Sequence, residues 1–317
     1  MSSTVVQGVS DPSPAARAPA DGRGKGGENT SDTVSGALEE VVMRRILSSV
    51  LALALAGLAV PVAFAQVKIS DPKGDDKGPG KYTYPTDAVY TKGSFDITDF
   101  EVKDKGDSVE FAVSVNSKIE DPWNSKAWAG NGFSVQMVFI HIDRDHQAGS
   151  GHLAGLAGTN VKFAPESAWE KVVILSPQGP TRLNSEIDLK AKDVKADVIV
   201  PTKTSARGKT LYGLVKKSAL GGAPAKGWGY QVLMQSNEGF PAKTDLLTRK
   251  VNEFEGQHRF GGGTDYDCDP HVVDLLMAPG KGGDDEKEAQ YKALGGYACG
   301  ADPSNPADYK LAEVPMV

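Results

Sequence analysis

Residues 133–143, FSVQMVFIHID, are apolar on both phases of a two-residue period: Phe133, Val135, Met137 and Phe139 on one, Val138, Ile140 and Ile142 on the other. Successive side chains of a strand point to opposite faces, so a run apolar on both phases must be covered on both sides. This segment therefore reads as a central strand. Elsewhere the apolar residues alternate. Val109, Phe111, Val113 and Val115 interleave with Ser108, Glu110, Ala112 and Ser114, the period of a half-buried strand. Phe95 and Ile97 share one phase while Phe100 and Val102 share the other, which predicts a bulge near Thr98 and Asp99. Asp104 to Asp107 read as the turn of a hairpin joining these two segments. Further strands are expected at 159–164, 171–175, 193–200, 210–215 and 228–236, separated by turns rich in Gly, Pro, Asn and Asp. Only 284–294, DDEKEAQYKAL, reads as a helix, its acidic start suiting the helix dipole. Strands at this spacing without alternating long helices imply an all-β antiparallel sandwich, of the immunoglobulin or jelly-roll kind, with few short helices.

The ends narrow the setting. Met43-Arg44-Arg45 precedes an apolar run, Ile46 to Ala65, that closes on Ala63-Phe64-Ala65. This is the pattern of a secretory signal cleaved after Ala65; the run is also long enough for a retained anchor. Residues 1–42 show no apolar periodicity and read either as a stretch ahead of a true start at Met43 or as a disordered leader. Residues 66–299 then form the sandwich domain, and 300–317, rich in Pro and Asp, a loosely packed extension. The exported part places the protein in the periplasm, at the cell surface or in the medium. Two cysteines, Cys268 and Cys299, both fall there and are expected to pair. A net charge of −6 without a Lys/Arg stripe excludes nucleic acid as a natural partner and argues against lipid head groups.

Two acidic loops stand out. Asp71, Asp75 and Asp76 lie on a Gly/Pro-bent loop, and Asp143, Asp145, Gln147 and Gly149 follow the central strand. Either set offers hard oxygens of the kind Ca²⁺ takes. The second lacks the glycine at position six and the glutamate at position twelve of an EF-hand, so that motif fails. Solvated Asx-turns are the competing reading of both. Four aromatic residues are candidate sugar contacts: Tyr82 and Tyr84, two apart in an extended segment, and Trp123 and Trp128, in a Pro/Asn/Gly-rich loop. Trp169 and Trp228 read instead as core. HRFGGGTDYDCDP, 258–270, reads as a structural turn that sets Arg259 against an acidic neighbour. His146 and His152 share a glycine-rich loop and read as solvated rather than as metal ligands. Neither GxSxG nor HExxH occurs, and the carboxylate pair of a glycosidase cannot be recognised from spacing.

Six segments occur in order: DPKGDDKGPGKYTYPTDAVY, GSFDITDFEV, DPWNSKAWAGNGFSVQMVFIHID, AGSGHLAGLAGTNVKFAPESAWEKVVIL, KGWGYQVLMQSNEGF and HRFGGGTDYDCDPHVVDLL. Together, over roughly residues 68–295, they resemble the C-terminal module of glucodextranase, also found in archaeal amylopullulanases and related to type-9 carbohydrate-binding and DOMON-like sandwiches. The resemblance implies a β-sandwich of exported starch- and dextran-degrading enzymes that binds polysaccharide or holds the enzyme at the cell surface. Cys268, Cys299, Trp128 and the long tail depart from the pattern. The expected function is a secreted, non-catalytic module recognising α-glucan or a related polysaccharide, or docking to a cell-envelope partner. Two other functions remain open. The DOMON kinship implies a b-type haem held by candidates Met137, His141 and Met234, and a glycoside hydrolase would turn over an α-glucan.

Overall fold

The computed structural model describes residues 66–239, 247, 249–277 and 284–317; the segments read as leader and signal, 1–42 and 43–65, lie outside them. Two five-stranded sheets carry the fold. The first is ordered β1 (Val67–Ser70), β2 (Ile97–Lys105), β3 (Ser108–Val115), β9 (Thr210–Lys216), β8 (Lys203–Arg207). The second is ordered β11 (Asp274–Leu275), β10 (Gly229–Ser236), β4 (Gln136–Asp143), β6 (Lys171–Leu175), β7 (Val198–Ile199). Neighbouring strands are antiparallel except β6 and β7. The architecture is thus the expected β-sandwich.

The hairpin forms as read. Gly106 adopts φ 73°, its N–H donates to Asp104 Oδ1 at 2.8 Å, and the β2–β3 register shifts between Ile97 and Asp99. Phe100, Val102, Val109, Phe111, Val138, Ile140, Val232 and Met234 fill the space between the sheets. The second sheet buries its outer face too. Met137, Phe139, Val172, Ile174 and Leu233 pack there with Trp169, Leu183, Ile187, Leu294 and Val314. Every residue of β4 and of β10 is accordingly buried, the physical outcome of the doubly apolar run. Leu183 and Ile187 belong to a helix, α1 (Pro180–Lys190), followed in chain order by α2 (Lys217–Leu220) and α3 (Asp284–Leu294).

Four expectations about the fold need correction. The stretch 284–294 is not the one long helix, because α1 (Pro180–Lys190) also runs 11 residues, burying Leu183 and Ile187. Most of 193–200 is not strand: Lys192–Asp197 is a 3₁₀ helix, and only Val198–Ile199 pairs. The segment at 159–164 reduces to β5 (Val161–Lys162). The tail is not loosely packed. Its β12 (Ala312–Glu313) pairs with β5 in parallel, Ala312 and Val314 are buried, and Val317 exchanges both backbone hydrogen bonds with Tyr230 at 2.8 and 2.9 Å. Cys268 and Cys299 form the expected disulfide, with Cα atoms 5.0 Å apart. Among the described residues no helix is long and apolar enough to cross a membrane.

Candidate functional site

The loop that follows β1 is the most unusual ground in the molecule. Asp71 N–H closes on Thr98 O at 3.0 Å, after which the chain crosses to the edge of the second sheet, where Gly78 N–H donates to Val273 O at 2.7 Å. Gly78 has φ 55°, and a Cβ there would lie 2.2 Å from the Tyr82 ring, so only glycine permits this crossing. The crossing carries Asp71 and Asp75 inward against Asp274 of β11. One carboxylate oxygen from each of the three lies within 4.8 Å of the others, and all three side chains are buried. Asp96, also buried, stands beside them, receiving Gly74 N–H and Asn116 Nδ2 on Oδ2 at 2.9 Å each. Asp71 Oδ2, both oxygens of Asp75 and Asp96 Oδ1 have no hydrogen-bond partner.

Crowding acids in a dry place disfavours their charge. Burial, then the Asp75 carboxylate, push Asp71 up to about 9; burial pushes Asp75 up to about 7. Asp274 is raised by burial and then by Asp71 and Asp75. Lys287 of α3 offsets part of this at Asp75 and Asp96. Asp76, the third acid expected on the ion, turns the other way and accepts the Tyr84 hydroxyl. Asp274 and Asp96 were missed from sequence, although each interrupts an apolar stretch, in VVDLL and SFDI, where a buried charge has to have a reason.

On the far side of Asp76 a cleft of about 310 Å³ is lined by Asp76, Lys77, Tyr82, Thr83, Tyr84, Tyr90 and Lys92. Tyr82 and Tyr84 do converge here, but mainly as walls. Tyr82 is 4% exposed and donates to Pro270 O at 2.5 Å, while the half-buried Tyr84 ring sits 5.7 Å from Phe95 and 5.1 Å from Phe260. Burial raises the pKa of all three tyrosines, so their hydroxyls stay protonated. Lys77, Thr83 and Lys92 are exposed and supply the polar rim. Trp123 and Trp128 do not line this cleft. Trp123 is half-buried with its ring edge-on to Tyr90, centroids 6.4 Å apart, and to His258 at 5.5 Å. Trp128 donates its indole N–H to Trp123 O at 3.3 Å. Tyr90, Lys77 and Lys92 carried no signal beyond ordinary loop composition.

The second acidic loop is built differently. Asp143 Oδ1 accepts Asp145 N–H at 3.1 Å and His146 N–H at 2.8 Å, and Oδ2 lies 2.8 Å from His146 Nδ1. Asp145 accepts Gln147 N–H and Ser150 Oγ at 3.0 Å each, and Glu170 accepts Arg144 N–H at 2.7 Å. Asp143, Asp145 and Glu170 approach one another with five of their six carboxylate oxygens accepting hydrogen bonds; the buried Asp143 Oδ2 has none and faces the His146 ring.

In the glycine turn, Gly262 has φ 86° and a Cβ there would meet Lys81 O at 2.2 Å, so the turn seals the back of the cleft loop. Arg259 makes no ion pair with a described residue, and its buried Nε lacks a partner, which corrects the acidic neighbour expected for it. The turn's acids serve others: Asp267 accepts Lys250 at 2.7 Å, and Asp269 accepts Thr264 Oγ1 at 2.6 Å. His146 and His152 do not meet. The first bonds Gly227 O and the second Asp197, at 2.7 and 2.8 Å. The three candidate haem ligands do not converge either. Met137 packs on the outer face of the second sheet, as does His141 against Phe163 and Trp169, whereas Met234 lies between the sheets. A haem joining Met234 to either would have to pass through the sheet, so these residues do not fit the group.

Residues 67–308 match the family model described as the C-terminal binding module, SLH-like, of glucodextranase. No curated protein matches the chain.

Proposed function

The chain belongs to the family of glucodextranase C-terminal binding modules, and on that premise we propose that it is a secreted, non-catalytic module that binds α-glucan or a related envelope polysaccharide in the tyrosine cleft. The observation that carries the reading is the mixture of walls and rim. A pyranose ring offers apolar C–H faces bordered by hydroxyls, and the cleft sets aromatic walls from Tyr82, Tyr84 and Tyr90 beside Asp76, Thr83 and two lysines. At about 310 Å³ it stands at the small end of ligand sites, the size for one ring or a chain end rather than a long helical glucan. Trp123 acts from behind, holding Tyr90 and His258 in place.

Affinity electrophoresis of the protein in gels containing dextran, pullulan or starch tests this. Retardation by at least one polysaccharide is expected, weakened about tenfold in Kd by Tyr84→Ala and by Lys92→Ala, the loss of one well-placed contact. Retardation by none would refute the function. Retention in both cleft variants with loss in Trp123→Ala would keep the function and move the site to the tryptophan loop.

A further inference from the structure

We propose that Asp71, Asp75 and Asp274 hold one divalent cation, calcium by the chemistry of the donors. Their geometry fits, since oxygens sharing a Ca²⁺ at about 2.3–2.6 Å lie no more than about 5 Å apart, and one oxygen from each of these residues lies within 4.8 Å of the others. The donors are all carboxylates, hard ligands without the nitrogen or sulfur that zinc prefers.

What separates this cluster from an ordinary acidic patch is Asp75. It is 1% exposed, hence cut off from water, and neither of its oxygens meets a donor from another residue although the side chain points at two other acids. An unpartnered buried carboxylate is strongly destabilising, and a cation among the three oxygens supplies what the chain withholds. The surroundings hold the donors in place without satisfying them. Met277 N–H steadies Asp71 Oδ1 at 3.2 Å, Ile97 N–H steadies Asp274 Oδ2 at 2.6 Å, and Gln290 Nε2 of α3 grips the Asp75 carbonyl at 2.7 Å. The ion would clasp the N-terminal loop to β11, two segments about two hundred residues apart in the chain.

Titration of CaCl₂ into the chelated protein by calorimetry is the test. One site per chain is expected, with Tm raised about 5–10 °C at roughly 100 times Kd. Asp75→Asn and Asp274→Asn should each abolish both signals, while Asp145→Asn leaves them unchanged. Where a variant fails to fold, anomalous scattering from a terbium-soaked crystal of the wild type should place one peak among Asp71, Asp75 and Asp274. Absence of heat and of any Tm change up to about 10 mM calcium overturns the proposal. So do calcium binding lost through Asp145→Asn instead, and an anomalous peak at Asp143.

Discussion

The two acidic loops look alike as strings of Asp, Gly and polar residues, and the fold treats them in opposite ways. After β4 the chain turns back on its own carboxylates, so that Asp143 and Asp145 cap the N–H groups of residues two and three further on. After β1 the glycines and Pro72 carry the backbone away from Asp71 and Asp75, which are delivered into the protein to meet acids from other strands. Local backbone donors thus occupy most of the oxygens of one loop, whereas in the other both oxygens of Asp75 and one of Asp71 meet none. Carboxylate content says little by itself; what counts is whether the following N–H groups can reach back.

The sharpest way to break that comparison is to remove one acid from each loop. Asp143→Ala strands two backbone N–H groups and should lower unfolding free energy by about 2–4 kcal/mol, with or without calcium. Asp75→Asn in EGTA should leave it unchanged or raise it, because the amide removes a buried charge that had no partner to lose. Urea titrations of both variants with and without calcium decide this, and a reversed order would show that the first loop is the self-sufficient one.

An acid scan isolates the strand that feeds the second loop. Burial lowers His141 from 6.5 to about 3, so the folded protein excludes a proton that the unfolded chain accepts. The histidine's own contribution to stability is therefore complete above pH 6.5 and falls as pH drops toward 3, by about 1.4 kcal/mol per unit. His141→Gln should remove that slope while leaving the calcium response intact, as read by urea midpoints across this range.

The smallest effect falls where the first loop meets the cleft. Tyr84→Phe keeps the ring and deletes the hydroxyl that Asp76 and Phe95 N–H hold. Glucan affinity should fall roughly three- to tenfold, the worth of one hydrogen-bonded anchor. Chelation should weaken the wild type by a similar factor, and an unchanged affinity in EGTA would show that the loop's clasp and the cleft are independent.

Much of the fold was legible because it rests on periodicity. The doubly apolar run at 133–143 is buried throughout, its strand starting at Gln136, and the phase change between Ile97 and Phe100 became the register shift. Helix α1 was not legible, since only Leu183 and Ile187 of its apolar residues turn inward. β8, KTSAR, is a polar edge strand whose lysine and arginine suit an unpaired edge more than a hydrophobic pattern. The tail's packing depends on three short apolar residues, Ala312, Val314 and Val317, meeting surfaces made elsewhere in the chain. Within the candidate site, Asp71, Asp75, Tyr82 and Tyr84 were recognisable as neighbours in one loop. Asp274 and Tyr90 reach it only through the tertiary fold, which no local spacing encodes.

The account stands or falls on binding without turnover at the cleft. Calorimetric titration of short α-gluco-oligosaccharides into the protein tests it most directly. It predicts a saturable one-site isotherm with the sugar recovered intact, abolished or strongly weakened by Tyr84→Ala. No heat with any oligosaccharide, or sustained heat accompanied by released reducing ends, would contradict it.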